Sequence, residues 1–298
     1  MLGDIYELSV RISDSGGPVR PVVNRPPDLA APPGGHVIVL VHGYNNDASD
    51  AKESYGDFLD NLRSLSSQAD SRPRPATADL AKFLWPGDAD LWIFSFLSYP
   101  SEIPDAQKSA RVLAQFMTEM PGLRQVSLIG HSMGCRLVLE MLAMVARDEV
   151  LGFPNVRFLI LAAAAVPVAL VERGGRLHDG IVRTDPRVLV LFSPDDLVLR
   201  FAFPAGQSLA YTMGHEDGIY FSAVGLNGNP RSLAASRKQL FGGGHSDYWK
   251  SDLIAQETLA LLGFAVSHGI SSHATPAQEA AEHRLPDAHS PLGSRPER

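Results

Sequence analysis

The 298-residue chain contains one cysteine, Cys135, and this scarcity limits its chemistry. One cysteine cannot form an intramolecular disulfide, and no second thiolate is present to build a cysteine-based metal site. Cys135 directly follows a glycine at the start of an amphipathic segment, which favours buried packing over redox work. The sequence therefore excludes disulfide-stapled scaffolds and zinc-thiolate domains.

Basic residues and long apolar runs are also scarce. The chain has 26 basic and 33 acidic residues and a net charge of −7, which argues against nucleic acid or an anionic membrane as the main partner. Its longest apolar run, residues 158–171, is too short to span a bilayer and contains Pro167. Residues 1–9 lack the basic and apolar regions of a secretory signal. We expect a cytoplasmic protein with no transmembrane segment.

No internal repeat is present, and the hydrophobic content of 45% is sufficient for one large core. Residues 1–35 are expected to hold an N-terminal edge strand and a segment rich in proline and glycine. Residues 36–266 are predicted to form the main domain. Residues 267–298 are polar and are predicted to form a disordered tail.

Strand-like and helix-like segments alternate through the main domain. Predominantly apolar segments at 36–41, 125–129, 156–161 and 188–192 are typical of strands covered on both faces. This alternation predicts an α/β fold with a mostly parallel central sheet and helices on both faces. Weaker patterns predict an antiparallel edge strand over 6–12, a second short one within 19–23, a strand over 91–96, a last strand over 218–224 and a final helix over 248–266.

Residues 199–240 fit the alternation poorly, because they are rich in glycine, proline and isolated aromatic side chains. They follow a strand end, where ligands bind in open α/β sheets. We interpret them as a candidate lid, with Phe201 and Phe203 as candidates for the substrate pocket. The alternative is an irregular loop over the core edge.

The string G-H-S-M-G at residues 130–134 places Ser132 between two glycines. A strand-like run precedes it, and apolar residues at helical spacing follow it, so the serine is expected on a sharp strand-to-helix turn. Glycine on either side removes steric clashes at such a turn and exposes the serine hydroxyl. The pattern predicts that Ser132 is a nucleophile.

A serine nucleophile needs a base within hydrogen-bonding reach and an acid that orients the base. Asp195 and Asp196 follow the strand-like run at 188–192, and His245 follows three consecutive glycines. His215 is the other candidate base, but it lies only nineteen residues beyond Asp196 with no clear strand between them. We predict His245 as the base and leave both aspartates as candidate acids.

Acyl transfer also requires donors for the oxyanion. The backbone N–H of Met133, directly after the serine, is one candidate, and the N–H of Tyr44, at the exit of the first buried strand, is the other. The side chains of His42, Tyr44 and His131 are candidates for the substrate pocket.

Four features together resemble the α/β-hydrolase superfamily: the string H-G-Y-N-N at residues 42–46, the G-H-S-M-G string, the late acidic turn and the glycine before His245. The resemblance covers roughly residues 36–265. The strings V-H-G-Y-N-N and F-L-W-P look like a bacterial branch of largely uncharacterised serine hydrolases. In the superfamily the acid usually stands three residues beyond the small residue that closes its strand. This spacing implies Asp196, with Asp195 as the alternative.

These residues predict a serine hydrolase, without cofactor or metal, that cleaves a small-molecule carboxylic ester through an acyl-enzyme on Ser132. Thioesterase or acyltransferase chemistry would use the same residues. A catalytically silent binding protein with the same fold is the rival interpretation. Metal-dependent hydrolysis is disfavoured, because His215 and its acidic neighbours lack a spaced histidine pair.

Overall fold

The apolar runs of the sequence form the centre of an eight-stranded sheet. This architecture comes from a computed structural model, which describes residues 2–10, 22–24, 32–44, 48–68, 77–86 and 95–264. All six residues of the strand His36–Val41 are buried, so both faces of the sheet are covered at its centre.

Strands and helices alternate along most of the chain. The strands are β1 (Leu2–Ser9), β2 (Val22–Asn24), β3 (His36–Val41), β4 (Ala78–Leu84), β5 (Gln125–His131), β6 (Asn155–Ala162), β7 (Arg187–Phe192) and β8 (Ala235–Gln239). The helices are α1 (Ala48–Gln68), α2 (Ser95–Glu119), α3 (Met133–Ala146), α4 (Val168–Val171), α5 (His178–Thr184), α6 (Phe203–Thr212), α7 (Val224–Asn227) and α8 (Asp252–Leu262). A short 3₁₀-helix (Pro33–Gly35) precedes β3, and a π-helical turn (Val198–Ala202) precedes α6.

The strand order is β2-β1-β4-β3-β5-β6-β7-β8. Among the described strands of this sheet, β1 and β2 pair antiparallel, and all other neighbouring pairs are parallel. Helices α1 and α8 pack against each other, whereas α2, α3, α5 and α6 form a second packed group. This mostly parallel sheet with helices confirms the predicted α/β fold class.

The N-terminal edge differs in detail from its prediction. Strand β1 contains the alternating Tyr6 and Leu8, but it runs parallel to β4 and is antiparallel only to β2. The antiparallel edge strand itself is β2, which includes two residues of the predicted short strand within 19–23. Residues 11–21 lie outside the described part of the chain.

The structure contains a strand that the sequence pattern does not predict. Strand β4 was not expected, because Asp79 and Lys82 interrupt its apolar pattern; Asp79 is nevertheless buried and accepts a hydrogen bond of 2.9 Å from the Tyr6 hydroxyl. Of the strand predicted over 91–96, residues 91–94 lie outside the described residues, and the last two belong to α2.

The last strand was also misplaced. The segment 218–224 forms only an isolated bridge, between Ala223 and Pro167, and helix α7 begins at Val224. The actual last strand, β8, has the sequence A-S-R-K-Q and is largely half-buried. Its polarity is physically reasonable at the sheet edge, but it removes the apolar signal by which strands are recognised.

The final helix is shorter than predicted, because local capping stops it at both ends. The Ser251 hydroxyl accepts a hydrogen bond of 3.2 Å from the Leu253 N–H, and Gly263 ends the helix with a φ of 95°. Residues 265–298, with the expected tail, lie outside the described chain. No helix among the described residues combines the length and apolarity that a membrane span requires.

Candidate active site

Ser132 lies on a turn between β5 and α3. Its φ of 54° and ψ of −122° are rare for a residue with a side chain, so the backbone is strained there. A Cβ at position 134 would lie 2.4 Å from the His42 carbonyl oxygen, and one at position 130 would lie 2.9 Å from Cys135 Cα. Glycine at 134 is therefore required for the turn to pack against the end of β3, and glycine at 130 for β5 to pack against the first turn of α3.

The backbone of Ser132 is fixed by three hydrogen bonds. Its N–H donates to the Ala162 carbonyl at 2.9 Å, and its carbonyl accepts from the N–H groups of Cys135 at 3.1 Å and Ala165 at 3.2 Å. These contacts join the turn to the end of β6 and to the first turn of α3. The surrounding structure thus maintains the strained conformation.

Ser132, His245 and Asp196 form a continuous hydrogen-bonded row. His245 Nε2 lies 2.8 Å from Ser132 Oγ, and His245 Nδ1 lies 2.7 Å from Asp196 Oδ2. Because a carboxylate only accepts, Nδ1 carries the proton, and Nε2 accepts the hydrogen bond that the serine hydroxyl donates. The Asp196 side chain is fully buried, whereas 15% of the His245 side chain is exposed.

The alternative acid, Asp195, and the alternative base, His215, have surroundings that differ from those of Asp196 and His245. Asp196 Oδ1 accepts a second hydrogen bond of 2.9 Å, from the Leu199 N–H, while Asp195 is exposed. His215 follows α6, where its N–H donates to the Ala210 carbonyl. Asp196 and His245 are thus the candidates that meet at Ser132.

The turn that carries His245 is held by contacts on both sides of it. Ser193 Oγ donates to the Gly243 carbonyl at 3.0 Å, and the Gly244 N–H donates to Asp247 Oδ2 at 2.7 Å. His131 Nε2 lies 2.8 Å from the His245 carbonyl oxygen. This role of Ser193 is not among the sequence-based predictions; its only signal in the sequence is a hydroxyl residue between the end of β7 and the two aspartates.

The exit of β3 approaches the serine closely. A Cβ at Gly43 would lie 2.8 Å from Ser132 Cβ, so only glycine allows this approach. Tyr44 follows it and is half-buried against the core. Asn45 and Asn46, the last residues of the motif, lie outside the described residues.

His42 fixes this exit. Its Nε2 accepts from the Trp85 N–H at 3.2 Å, so its Nδ1 donates to the Gly43 carbonyl at 2.8 Å. The Trp85 indole N–H donates to the His42 carbonyl at 2.9 Å, and the two rings stack with centroids 5.7 Å apart. Of the pocket candidates, His42 is therefore buried and hydrogen-bonded at both ring nitrogens.

The remaining pocket candidates have different environments. Phe201 is 67% exposed on the π-helical turn, while Phe203 is buried in the core. His131 is buried, and burial followed by the proximity of His245 lowers its pKa to about 3. Burial likewise raises the pKa of the Cys135 thiol, so this cysteine is a poor nucleophile. Within the described ranges, no group of three or more histidine, cysteine, aspartate and glutamate side chains could hold a metal ion.

Residues 26–208 match a family model described as "Alpha/beta hydrolase of unknown function (DUF900)". The chain belongs to this family. The matched segment of this α/β hydrolase includes Ser132 and Asp196 and ends before His245. No curated protein matches the hydrolase significantly.

Solved structures of other hydrolases are similar to this α/β hydrolase. A predicted CIB-like hydrolase from Thermoplasma acidophilum is 16% identical, with a TM-score of 0.44 over 77% of this chain and 86% of that one. A lipase-esterase related protein from Clostridium acetobutylicum is 12% identical, with a TM-score of 0.42 over 76% and 95%. Acyl-protein thioesterase 2 from Zea mays is 18% identical, with a TM-score of 0.42 over 76% and 94%.

Proposed function

We propose that this α/β hydrolase is a serine hydrolase that cleaves a carboxylic ester through an acyl-enzyme on Ser132. The observation that carries the proposal is the row of two short hydrogen bonds, from Ser132 to His245 and from His245 to Asp196. A free serine hydroxyl is a weak nucleophile, and this arrangement supplies both the base and the group that orients it.

In the acylation step, Ser132 Oγ attacks the ester carbonyl carbon while His245 Nε2 takes the hydroxyl proton. Asp196 stabilises the imidazolium that forms, and its contact with Nδ1 keeps Nε2 directed at the serine. As the tetrahedral intermediate collapses, the imidazolium donates its Nε2 proton to the leaving alkoxide. The alcohol departs and the acyl group remains on Ser132.

Deacylation repeats the same proton transfers with water. His245 Nε2 removes a proton from a water molecule, and the resulting hydroxide attacks the acyl carbon. The imidazolium then returns the proton to Ser132 Oγ, which frees the carboxylic acid. The proton transfers of both steps therefore involve only His245, Ser132, water and the leaving alcohol.

The N–H groups of Met133 and Tyr44 are proposed as the oxyanion donors. Met133 is the first residue of α3, where the helix dipole favours negative charge. The close approach of Gly43 to Ser132 supports a position for the Tyr44 N–H on the same side of the reacting carbon. One such donor is worth about 2.7–4 kcal/mol in a transition state.

Pre-steady-state hydrolysis of 4-nitrophenyl acetate tests the proposal. An acyl-enzyme predicts a burst of nitrophenolate equal to the enzyme concentration whenever deacylation is slower than acylation. We expect turnover by the wild type and its loss in Ser132→Ala and His245→Ala, while His215→Ala serves as the matched histidine control. Equal turnover by wild type and Ser132→Ala would overturn the assignment of the nucleophile.

The rival interpretation, a binding protein that retains the fold without turnover, predicts a different result. It predicts no hydrolysis of acetate, butyrate or octanoate esters and no reaction of Ser132 with a fluorophosphonate. Including an acyl thioester of matched chain length in the panel separates ester from thioester preference.

A further inference from the structure

His131 immediately precedes the candidate nucleophile and contacts the candidate base. Its Nε2 lies 2.8 Å from the main-chain carbonyl oxygen of His245, although 114 residues separate the two. The two imidazole rings lie with centroids 5.2 Å apart and an interplanar angle of 49°. His131 therefore touches the main chain and the ring of His245 together.

The ring of His131 is immobilised by the core. The residue is 5% exposed, and its ring lies 5.9 Å from that of Tyr248 and 6.0 Å from that of Trp249. Trp249 in turn packs edge-on against Tyr55 at 5.4 Å. His131 thus provides a fixed donor at the end of β5, where the backbone is already set by the sheet.

His245 lies on a turn with high intrinsic freedom. Three glycines precede it, and Gly242 has a φ of 66°. Ser193 fixes the Gly243 carbonyl, and Asp247 closes a turn around His245, because it accepts from the Gly244 N–H and donates its own N–H to the Gly244 carbonyl at 3.3 Å. The hydrogen bond from His131 fixes the carbonyl of His245 itself.

The protonation state of His131 does not change near neutral pH. A carbonyl only accepts, so His131 carries its proton on Nε2. Burial and the neighbouring His245 and His42 disfavour a second proton, whereas the His245 carbonyl and Asp196 favour it, and the resulting pKa is about 3. Above that pH the ring is neutral and donates the same hydrogen bond.

We propose that His131 is a positioning residue, whose Nε2–H fixes the main chain of His245 so that its imidazole reaches Ser132 and Asp196 simultaneously. The inference rests on the proposed function, because it assigns His131 a role through the base. It differs from the sequence-based expectation that His131 lines the substrate pocket. Small displacements of a catalytic group can reduce rates about a hundredfold, which sets the size of the effect to look for.

Two substitutions separate the donor from the ring. His131→Phe retains an aromatic ring but removes the Nε2–H, and His131→Gln replaces the ring with an amide that can donate to the same carbonyl. We expect His131→Phe to lower kcat/KM roughly 10- to 100-fold through kcat, with KM nearly unchanged. His131→Gln should recover part of that loss. His215→Phe is the matched control and should retain the wild-type rate.

Labelling with a fluorophosphonate distinguishes positioning from folding. A positioning role predicts that every folded His131→Phe molecule is labelled at Ser132, but with a rate constant reduced in parallel with kcat. Should His131→Phe fail to fold, His131→Asn, whose shorter amide does not reach the carbonyl, replaces it in the comparison with His131→Gln.

Three results would overturn the proposal. The first is that His131→Phe, which lacks the Nε2–H donor, is labelled at the wild-type rate. The second is a reduced labelled fraction that reacts at the wild-type rate, since this indicates partial unfolding only. The third, equal labelling of wild type and Ser132→Ala, is distinguishable from the others because it overturns the proposed function itself.

Discussion

Asp196 Oδ2 lies 2.7 Å from His245 Nδ1, and the Asp196 side chain is fully buried. Its other oxygen accepts from the Leu199 N–H, so the carboxylate is fixed by two donors. The neighbouring Asp195 is exposed. Asp196, which the resemblance implied, and Asp195, its alternative, therefore have different environments.

Replacing Asp196 by asparagine should cost about 10⁴-fold in kcat, because the amide no longer stabilises the imidazolium or the tautomer with Nδ1–H. Asp195→Asn is the matched control and should retain the wild-type rate, since its side chain faces solvent. Initial rates on a 4-nitrophenyl ester measure both. A larger loss of kcat in Asp195→Asn than in Asp196→Asn would show that Asp195 is the acid of the row.

Gly134→Ala should disrupt the serine turn. The added Cβ would meet the His42 carbonyl oxygen at 2.4 Å and that of Val41 at 2.5 Å, and backbone atoms cannot relieve the clash by changing rotamer. We expect a loss of about 1–3 kcal/mol in unfolding free energy together with a loss of the proposed esterase activity.

Gly56→Ala provides the control for that substitution. Gly56 lies inside α1, and a Cβ there meets nothing within 4 Å. Alanine should stabilise this helix by about 0.5–1 kcal/mol and leave activity unchanged. Urea unfolding of both variants gives the comparison, and equal stability changes would contradict the steric account.

Removing the buried guanidinium of Arg136, which joins α3 to the segment after α6, should lower the unfolding free energy. Arg136 Nη1 lies 2.7 Å from Glu216 Oε1, and these two side chains are 0% and 1% exposed. Arg136→Met leaves buried carboxylates without this partner and should lower stability by about 3–5 kcal/mol. Arg63→Met removes an exposed pair with Asp60 and should change stability by less than about 1 kcal/mol. Chemical denaturation that ranks the two variants equally would refute this expectation.

Stability should decrease on mild acidification because of His36. Burial, and secondly the charge of Arg157, lower its pKa from 6.5 to about 4. The unfolded chain therefore binds more protons than the folded one between these values. The contribution of neutral His36 to the unfolding free energy is complete above pH 6.5. It is lost as the pH falls from 6.5 to about 4, by up to about 1.4 kcal/mol per pH unit.

The buried His131 adds to the same trend, since its pKa is lowered to about 3. Unfolding free energies measured at pH 7.5 and 5.5 should therefore differ, and His36→Gln should show the smaller difference. An identical dependence in the wild type and His36→Gln would rule out His36 as a source of the trend.

The central strands could be predicted because burial on both faces requires continuous apolar runs such as 36–41 and 188–192. Strands β4 and β8 could not be predicted from a local sequence pattern. In β4, Asp79 is buried by a specific partner, the Tyr6 hydroxyl, which a local pattern does not reveal. In β8, the polar sequence suits a half-exposed edge and resembles a loop.

The position of Ser132 on a strand-to-helix turn could likewise be predicted from the sequence, since five consecutive residues encode the turn. The hydrogen bonds that hold the turn of His245 could not be predicted, because they join residues that are distant in sequence. His131 meets the His245 carbonyl across 114 residues, and Ser193 meets that of Gly243 across 50. Their hydrogen bonds depend on how the strand ends assemble.

The most direct measurement of the central claim is the site at which a fluorophosphonate reacts, identified by mass spectrometry of the digested protein. We expect one phosphonate adduct on Ser132 in the wild type, none in Ser132→Ala, and labelling at least about a hundredfold slower in His245→Ala. An adduct on another residue, or equal labelling of the wild type and Ser132→Ala, would contradict the assignment of Ser132 as the nucleophile.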